Sequence, residues 1–396
     1  MSSNAHLPSD LKQLQSLPLE AKIEMTKQRI RAWYESWERF EIRNDKTGKT
    51  RFVTMAVANR WIDKPPLKED EYIEEEVCGH VYVSFSGGKD STVLKHLVDS
   101  MYDDIPALFV NTGLEYPEVQ KFVKEIKAGK YDCFNSDVEI VRPKLRFDEV
   151  IKEYGYPVIS KEVAQTIEQA RKNVETGKYT YRLAKLNNEV LDENGNPSQY
   201  NIPQYKYLLD SPFLISHKCC DVMKKNPAKQ YEKETGRIPI LGTMASESRL
   251  RYQKWLQHGC NAFQKNRPTS QPLSFWTEQD ILHYIKKYNV PYCSAYGDIV
   301  VDSDDKNQIN LIDFLGCYEE EDILTTTGCD RTGCIFCGFG CHLEKEPNRF
   351  QRLKQTHPRQ YEFCINGGET VDGKWQPNKE GLGLGKVLDF IGVKYN

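Results

Sequence analysis

Hydrophobic and polar positions in the middle of the chain follow the pattern of short strands, each succeeded by an amphipathic helix. Apolar, β-branched runs at 80–85, 107–113 and 138–143 are each followed by a segment with apolar residues three or four positions apart. Such alternation typically builds a parallel sheet. We therefore predict an α/β fold with helices on both faces of the sheet. The alternation resumes with a strand at 237–242, after a predicted helical insertion at about 161–210.

The sequence flanking this core has other patterns. Residues 19–40 carry apolar side chains at helical spacing, and the polar run at 44–50 predicts a turn between two short strands. After about residue 301 the chain is polar, Gly-rich and Cys-rich, with a helix expected near 346–363. We predict three regions: a helical and hairpin extension at 1–79, the α/β core at 80–300, and a Cys-rich region at 301–396.

The net charge and the lengths of the apolar runs argue against some classes of protein. The 396 residues include 54 basic and 57 acidic side chains, a net charge of -3 that disfavours a strongly basic nucleic-acid coat protein. No apolar run approaches the length of a membrane span, and the first residues lack the apolar segment of a secretory signal. We therefore expect no membrane partner and a cytoplasmic location.

The junction between the first predicted core strand and its helix has the sequence SGGKDS, from Ser86 to Ser91. Two glycines let the backbone approach an anion closely, and the N–H groups at the start of a helix point towards that anion. Ser86 and Ser91 add hydroxyl groups, and Lys89 adds a positive charge. The spacing differs from the Walker sequence, but the chemistry still predicts a phosphate site.

Four segments resemble those of a known superfamily. VSFSGGKDSTVL resembles the pyrophosphate-binding loop of the PP-loop ATP pyrophosphatases, the adenine nucleotide alpha-hydrolase superfamily. FVNTGLEYPEV, LGTMASESRLR and PLSFWTEQDILHYI follow in the order of the phosphoadenylylsulfate (PAPS) reductase family. The resemblance covers about residues 80–295. It implies a five-stranded parallel sheet with an adenine nucleotide at the carboxyl ends of the strands, where open α/β sheets bind ligands.

The resemblance also implies roles for individual residues. The loop residues would hold the phosphates of ATP, with Lys89, Asp90 and Arg249 as catalytic groups and Asp90 beside Mg²⁺. The implied nucleotide-binding set is Ser86, Gly87, Gly88, Lys89, Asp90, Ser91, Thr112, Gly113, Gly242, Glu247, Arg249 and Arg251. Between residues 217 and 267 the chain has 11 Lys or Arg and 4 Asp or Glu, and this local excess of positive charge suits a polyanionic ligand.

Twelve cysteines in a chain expected to be cytoplasmic indicate metal or sulfur chemistry rather than disulfides. The adjacent pair Cys219 and Cys220, with Cys334 and Cys337 in a C-x-x-C sequence, resembles the [4Fe–4S] arrangement of adenylylsulfate (APS) reductases. Four thiolates also suit zinc. A local alternative joins Cys329 and Cys341 to the C-x-x-C pair. The scattered cysteines are expected to be small buried apolar residues: Cys78, Cys133, Cys260, Cys293, Cys317 and Cys364.

Two features separate the chain from the reductases that it resembles. Those enzymes carry a late Glu-Cys-Gly-Leu-His sequence, which is absent here, and often a degraded phosphate loop, whereas SGGKDS is intact. The leading hypothesis is an ATP pyrophosphatase that adenylates an acceptor and supports sulfur transfer. The alternatives are a PAPS or APS reductase that produces sulfite, and a non-catalytic nucleotide-binding module.

The expected partners follow from these hypotheses. A sulfur transferase needs a sulfur donor, and a reductase needs a thioredoxin-like reductant. The stretch 169–188 is basic with interleaved tyrosines, a composition that can stack bases and contact phosphates. A nucleic-acid acceptor is therefore a further possibility, beside a small metabolite.

Overall fold

A computed structural model describes residues 6–58, 63–263, 266–302 and 322–396. The prediction for Cys317 lies outside these residues. The chain forms two compact units, each assembled from separate stretches of sequence. The first unit comprises Met1–Asn111, Tyr116–Val141 and Ala228–Thr332, and the second comprises Thr112–Glu115, Arg142–Pro227 and Gly333–Asn396.

The strands are short, as the sequence pattern predicts. In chain order they are β1 (Trp37–Asn44), β2 (Thr50–Ala56), β3 (Glu71–Cys78), β4 (Val81–Ser84), β5 (Ala107–Val110), β6 (Val138–Val141), β7 (Val158–Ile159), β8 (Ile238–Leu241), β9 (Asn261–Ala262), β10 (Thr269–Ser270), β11 (Ile299–Val301), β12 (Leu324–Thr326), β13 (Gly338–Phe339), β14 (Glu369–Val371) and β15 (Lys374–Gln376).

The helices alternate with these strands along the chain. The α-helices are α1 (Pro8–Gln15), α2 (Leu19–Glu35), α3 (Lys89–Asp99), α4 (Pro117–Lys127), α5 (Phe147–Tyr154), α6 (Lys161–Glu175), α7 (Tyr181–Leu186), α8 (Asn226–Thr235), α9 (Arg249–His258), α10 (Glu278–Lys287), α11 (Arg349–Thr356), α12 (Pro358–Ile365) and α13 (Leu384–Phe390). Short 3-10 turns occur at Pro203–Asp210, Ala245–Glu247, Ser294–Tyr296 and Cys341–Leu343, and a π-helical turn at Asp221–Lys225.

The first unit is built on a sheet with strand order β6-β5-β4-β8-β10-β9. Its first five strands run parallel, and β9 lies antiparallel at the edge beside β10. The α/β class is therefore confirmed, and the expected five-stranded parallel sheet is corrected to a mixed sheet of six strands. The sixth strand was missed because two residues cannot display a periodicity.

The central strand β4 explains why the sequence favours this sheet. Val81, Tyr82 and Val83 are all buried, so both faces of the strand are covered. A strand buried on both faces has a continuous apolar run rather than alternation. It pairs in parallel with β8 on one side, Val81 opposite Ile238, and with β5 on the other.

The predicted helix at 19–40 is wrong at its end. Helix α2 stops at Glu35, and Trp37 begins β1 of a three-stranded antiparallel sheet, order β2-β1-β3. Trp37, Phe40 and Ile42 are buried, and Trp37 packs edge-on against Trp33 with ring centroids 5.4 Å apart. A tryptophan four positions after another fits a helix and the start of a strand equally well, so spacing alone could not locate the boundary.

Helix α10 begins where the sequence predicts. Thr277 is the N-cap: its hydroxyl oxygen accepts the Asp280 N–H, and the Asp280 carboxylate accepts the Thr277 N–H at 2.6 Å. This reciprocal cap satisfies two backbone donors that the first turn leaves unpaired. Lys22 of α2 also contacts Asp280 at 2.8 Å and thereby joins the N-terminal helix to the core of the unit.

The second unit contains the predicted helical insertion as α6 and α7, and pairs β7 in parallel with β13. The helix expected near 346–363 is two helices, because Pro358 begins α12 after a break at His357. Helix α13 was not predicted, since its glycine-rich sequence has low helix propensity. Its buried Leu384, Val387 and Leu388 indicate that packing stabilises it. In the described part of the chain, no helix is long and apolar enough to cross a membrane.

His80, immediately before β4, generates a prediction about acid stability. Its side chain is buried, its Nε2 lies 2.7 Å from the Thr235 carbonyl oxygen, and burial lowers the pKa of His80 to about 4. An unfolded histidine has a pKa near 6.5 and takes up a proton first on acidification. The stability contributed by neutral His80 is therefore fully present above that value and lost as the pH falls towards 4.

We expect His80→Gln to reduce the loss of unfolding free energy between neutral pH and about pH 4.5 by about 1–3 kcal/mol. Urea unfolding of both proteins at the two pH values measures this difference. An identical pH dependence of the two proteins would contradict the assignment, whatever the variant's stability at neutral pH.

Candidate functional site

The SGGKDS loop connects β4 to α3 through a left-handed glycine. Gly87 has φ of +71°, a conformation that a side chain disfavours, and Gly88 is the N-cap of α3. A Cβ on Gly87 would lie 2.7 Å from Cγ1 of Val119 and 3.1 Å from Cγ2 of Val123, both on α4. The loop is therefore packed so closely against α4 that only glycine fits at this turn.

Hydroxyl groups hold the loop from within. Ser91 Oγ accepts the N–H of Ser86 at 3.1 Å, lies 3.0 Å from Ser86 Oγ and donates to the Gly88 carbonyl at 2.9 Å. Thr92 Oγ1 donates to the same carbonyl at 3.0 Å. These bonds fix the loop's backbone before any ligand arrives, as an anion cradle at a helix N-terminus requires.

Lys89 lies inside the site. Its side chain is buried, with Nζ 2.8 Å from the Asp330 carbonyl oxygen and 3.0 Å from a Glu278 carboxylate oxygen. Its backbone N–H donates to the Tyr296 hydroxyl at 3.0 Å, and that hydroxyl lies 2.8 Å from Thr332 Oγ1. The cation is therefore neutralised by internal acceptors that a stronger anion could replace.

Two oxygen atoms at the site are shielded from solvent, and neither has a hydrogen-bond partner among the described residues. They are Asp90 Oδ1 and Thr243 Oγ1. Burial raises the pKa of Asp90, although the charges of Lys89 and Arg331 favour its carboxylate. A buried carboxylate oxygen without a partner is costly. The oxygen of Asp90 therefore suits a cation that arrives with a ligand.

The Gly242–Arg251 segment lies beside the loop. A Cβ on Gly242 would lie 3.1 Å from the Asp90 carbonyl oxygen, so glycine lets β8 approach α3. Glu247 forms an ion pair with Arg251, and its second oxygen lies 3.6 Å from Nη1 of Arg331. Burial lowers the pKa of Arg251. Arg249 is exposed, on the first turn of α9.

The remaining predicted nucleotide-binding residues, Thr112 and Gly113, belong to the second unit. Thr112 is buried and donates its backbone N–H and its hydroxyl to the Glu115 carboxylate, at 3.1 and 2.6 Å. The Leu114 carbonyl accepts the N–H of Ile335 at 2.8 Å. This loop is thereby bonded to the C-x-x-C segment of the same unit.

The four predicted cluster ligands all belong to the second unit, and electrostatic interactions link them. Burial raises the pKa of Cys219, and the charges of Cys220, Cys334 and Cys337 raise it further. Burial also raises the pKa of Cys334 to about 11, with contributions from Cys337 and Cys220. The four thiols are therefore near enough to influence one another's pKa, although more than a hundred residues of sequence separate the two pairs.

The side chains around the cysteines do not form a binding site for a single metal ion in the described residues. Within the described ranges, no three His, Cys, Asp or Glu side chains are placed to hold one ion. The chemistry of the donor set nevertheless fits a cluster, because Fe–S clusters are held by four cysteine thiolates. Of the alternative ligands, Cys329 belongs to the first unit. Cys341 is buried, with Sγ 3.1 Å from the Gly338 carbonyl oxygen.

Lys224 adds a positive charge to the cysteine group. It lies in the π-helical turn that directly follows Cys219 and Cys220, and such turns are frequent at functional sites. Although burial of the amine opposes its charge, Cys334, Glu115 and Cys220 outweigh that effect and raise the pKa of Lys224. A fixed cation beside these thiols favours their ionised, metal-binding form.

Sequence reasoning missed Tyr296, Arg331, Thr332 and Glu278, although all four lie around the SGGKDS loop. Tyr296, Arg331 and Thr332 lie outside the four segments that carry the family resemblance, and Tyr296 lies more than two hundred residues from Lys89. One indirect signal existed for Glu278, because it is the first residue of the correctly predicted helix α10.

The turn at Gly87 gives a prediction with a matched control. Gly129 has the same φ of +71°, but its added Cβ would meet no described atom within 4 Å. We expect Gly129→Ala to lower the free energy of unfolding by about 1 kcal/mol through backbone strain alone. Gly87→Ala should cost roughly 1–3 kcal/mol more, because its methyl group meets Val119. Equal losses in urea unfolding would contradict the close packing of this loop.

Two archaeal proteins share part of this sequence. One uncharacterised protein of Methanocaldococcus jannaschii is 38% identical over 77 residues, which is 19% of this chain and 18% of the relative. A second uncharacterised protein of that organism is 36% identical over 85 residues, 21% of this chain and 16% of the relative. The chain therefore matches less than a fifth of the length of either protein.

A sequence model of a protein family matches a much longer stretch. The phosphoadenosine phosphosulfate reductase domain matches residues 80–188 and 161–338. These ranges contain the SGGKDS loop, Gly242, Arg251 and all four grouped cysteines. With more than half of its length matched, this chain belongs to the phosphoadenosine phosphosulfate reductase domain family of the PP-loop superfamily.

Proposed function

We propose that the chain binds Mg²⁺-ATP at the SGGKDS loop and splits it between the α- and β-phosphates. The reaction would adenylate an acceptor and prepare it for sulfur transfer. The observation that carries this proposal is Asp90: a buried, unpartnered Oδ1 within the described residues, in the first turn of α3 and beside Lys89. Magnesium prefers oxygen ligands and is usually held by one or two carboxylates together with substrate phosphates, and the Asp90 carboxylate fits that role.

The proposed chemistry is a displacement at phosphorus. An acceptor oxygen would form a bond to the α-phosphorus, and the bond from that phosphorus to the bridging oxygen would break. The electron pair would leave with pyrophosphate. This chain would contribute positioning and electrostatic stabilisation, which together account for most of the catalysis of phosphoryl transfer. Backbone N–H groups at the start of α3 and the Lys89 amine would stabilise the charge on the departing pyrophosphate.

Ligand binding would exchange the contacts of Lys89 rather than create a new charge. In the structure its Nζ contacts the Asp330 carbonyl oxygen and Glu278, an exposed carboxylate. Pyrophosphate carries more charge than either acceptor and can accept several hydrogen bonds. Charge-assisted bonds of this kind are about twice as strong as neutral ones, which favours the exchange.

Sulfur transfer would complete the reaction. A sulfur nucleophile from a donor would form a bond to the activated acceptor, and AMP would leave with the oxygen that it had activated. Cys219, Cys220, Cys334 and Cys337 would hold a [4Fe–4S] cluster, and when bound it would supply a redox-active, sulfur-binding centre. Their mutual electrostatic interactions and the nearby cation of Lys224 support this assignment.

A second candidate function has specific support. The matched family is described as a phosphoadenosine phosphosulfate reductase domain, so reduction of PAPS or APS to sulfite is the alternative activity. Products separate the two: AMP and pyrophosphate from ATP in one case, and sulfite from a sulfonated nucleotide in the other.

We expect Lys89→Ala and Asp90→Ala each to lower acceptor-dependent release of pyrophosphate from ATP by about a hundredfold or more, because preorganised charge contributes on that scale. Lys254→Ala, an exposed lysine on α9, is the matched control and should retain full turnover. Pyrophosphate and AMP are quantified with labelled ATP.

Formation of sulfite from PAPS or APS, with no AMP or pyrophosphate from ATP, would replace the proposed activity with that of a reductase. Nucleotide binding with neither reaction would indicate a non-catalytic module. Full pyrophosphate release by both loop variants would contradict the roles of Lys89 and Asp90.

The cysteine group predicts a metal content. Anaerobically purified protein should be brown, with about four irons and four sulfides per chain, because a cubane cluster needs four thiolates. Replacing any one of Cys219, Cys220, Cys334 or Cys337 with Ser should bleach it. Cys133 is exposed, so the sequence prediction that it is buried is wrong. Because it lies outside the group, Cys133→Ser is the control and should stay brown.

Iron and sulfide analysis together with the visible spectrum checks this expectation. If loss of Cys329 or Cys341, rather than Cys219 or Cys220, releases the metal, the ligands are the local four-cysteine set. If the metal is also zinc, the cluster assignment is wrong.

A further inference from the structure

A segment outside the predicted nucleotide-binding set lies beside the SGGKDS loop. This strap, Thr326–Thr332, lies in the first unit with the loop. It is fixed at its start, where Gly328 N–H donates to the Tyr296 carbonyl at 2.8 Å and Cys329 N–H to the Ala295 carbonyl at 3.0 Å. These two hydrogen bonds therefore fix the position of the backbone that leads into residues 330–332.

Both neighbours of Arg331 lie close to the loop. The Asp330 carbonyl oxygen accepts from Lys89 Nζ at 2.8 Å. On the other side, Thr332 Oγ1 lies 3.1 Å from the position that a Cβ on Gly88 would occupy. Arg331 is thus anchored on both sides at the loop where the proposed phosphates would bind.

Among the residues that the structure describes, the Arg331 guanidinium has one weak ion pair. It is 64% exposed, and its Nη1 lies 3.6 Å from Oε1 of Glu247. Glu247 has other partners, since it pairs with Arg251 and accepts the Met244 N–H at 2.8 Å. Turning the guanidinium away from Glu247 would therefore leave that carboxylate satisfied, at little cost.

The charges around the loop favour such a turn. Lys89, Arg251 and Arg331 face three carboxylates, those of Asp90, Glu247 and Glu278. The opposing charges are equal in number before a ligand binds. A magnesium ion at Asp90 would add positive charge to the site, and this favours a polyphosphate as the ligand that arrives with it.

We propose that Arg331 is a substrate-binding residue that contacts the pyrophosphate moiety of Mg²⁺-ATP, beside the SGGKDS loop. This inference rests on the proposed function and adds a residue from the Cys-rich region to its nucleotide site. Arginine presents a planar fork of donors that binds phosphate in a bidentate manner. Residues 330–332 adjoin Lys89 and Gly88 of the phosphate loop. Arg331 would therefore contact the leaving phosphates of ATP and not its adenosine.

Isothermal titration of the full chain with Mg²⁺-ATP, inorganic pyrophosphate and adenosine tests the assignment. Arg331→Gln should weaken binding of ATP and of pyrophosphate about tenfold to a hundredfold, the usual effect of losing a hydrogen bond between charged groups. Adenosine binding should not change. Arg331→Lys keeps the positive charge but loses the planar fork of donors. Its affinity for ATP and pyrophosphate should lie between those of the wild-type chain and Arg331→Gln. Arg359→Gln, an exposed arginine on α12, is the control.

The outcomes separate this inference from the function on which it rests. If the wild-type chain binds ATP and pyrophosphate and Arg331→Gln binds them equally well, Arg331 is not a ligand although the nucleotide site stands. If Arg331→Gln weakens adenosine binding as much as ATP binding, the residue maintains the structure of the site and does not bind phosphate. If the wild-type chain binds neither ATP nor pyrophosphate, the proposed function fails and Arg331 loses its role with it.

Discussion

The structure of the first unit depends on one close contact, the packing of the left-handed turn at Gly87 against Val119 and Val123 of α4. This contact brings the end of β4 directly into the first turn of α3. It thereby places the N-terminus of α3 at the edge of the sheet, where the first N–H groups have no partner within the helix itself. Asp90, Lys89 and the serine hydroxyls take their positions from that turn. Glycine at 242 then allows β8 to lie against the same backbone.

Opposed charges distinguish this site from an ordinary strand–helix junction. Lys89 is buried but neutralised, and Oδ1 of Asp90 is shielded without a hydrogen-bond partner among the described residues. Arg251 and Arg331 both interact with Glu247. An arrangement of this kind is preorganised, because the cations are already in place and exchange one anion for another. The free energy needed to bring these charged groups together is therefore expended when the protein folds and not when the ligand binds.

The sequence predicted the parts of this protein that depend on local order. Strands β4, β5 and β6, the loop at Ser86–Ser91 and the Thr277 cap of α10 all follow from contiguous residues. Tyr296, Thr332 and Arg331 could not be predicted, since long-range packing alone brings them to the loop. The end of α2 was missed because the spacing of Trp37 fits both a helix and a strand. The edge strand β9 was missed because two residues are too few to show a hydrophobic pattern. The predicted grouping of Cys219 and Cys220 with the C-x-x-C segment rests mainly on family resemblance.

The central claim is that the SGGKDS loop holds the leaving phosphates of ATP, and a structure of the complex tests it most directly. The chain would be crystallised with Mg²⁺ and α,β-methylene-ATP, which cannot be split between its α- and β-phosphates. The account predicts the β- and γ-phosphates at the backbone N–H groups of the loop, with Mg²⁺ on Asp90 and Lys89 turned from Asp330 to phosphate. Phosphates bound elsewhere in the chain, with Lys89 still on the Asp330 carbonyl, would contradict it.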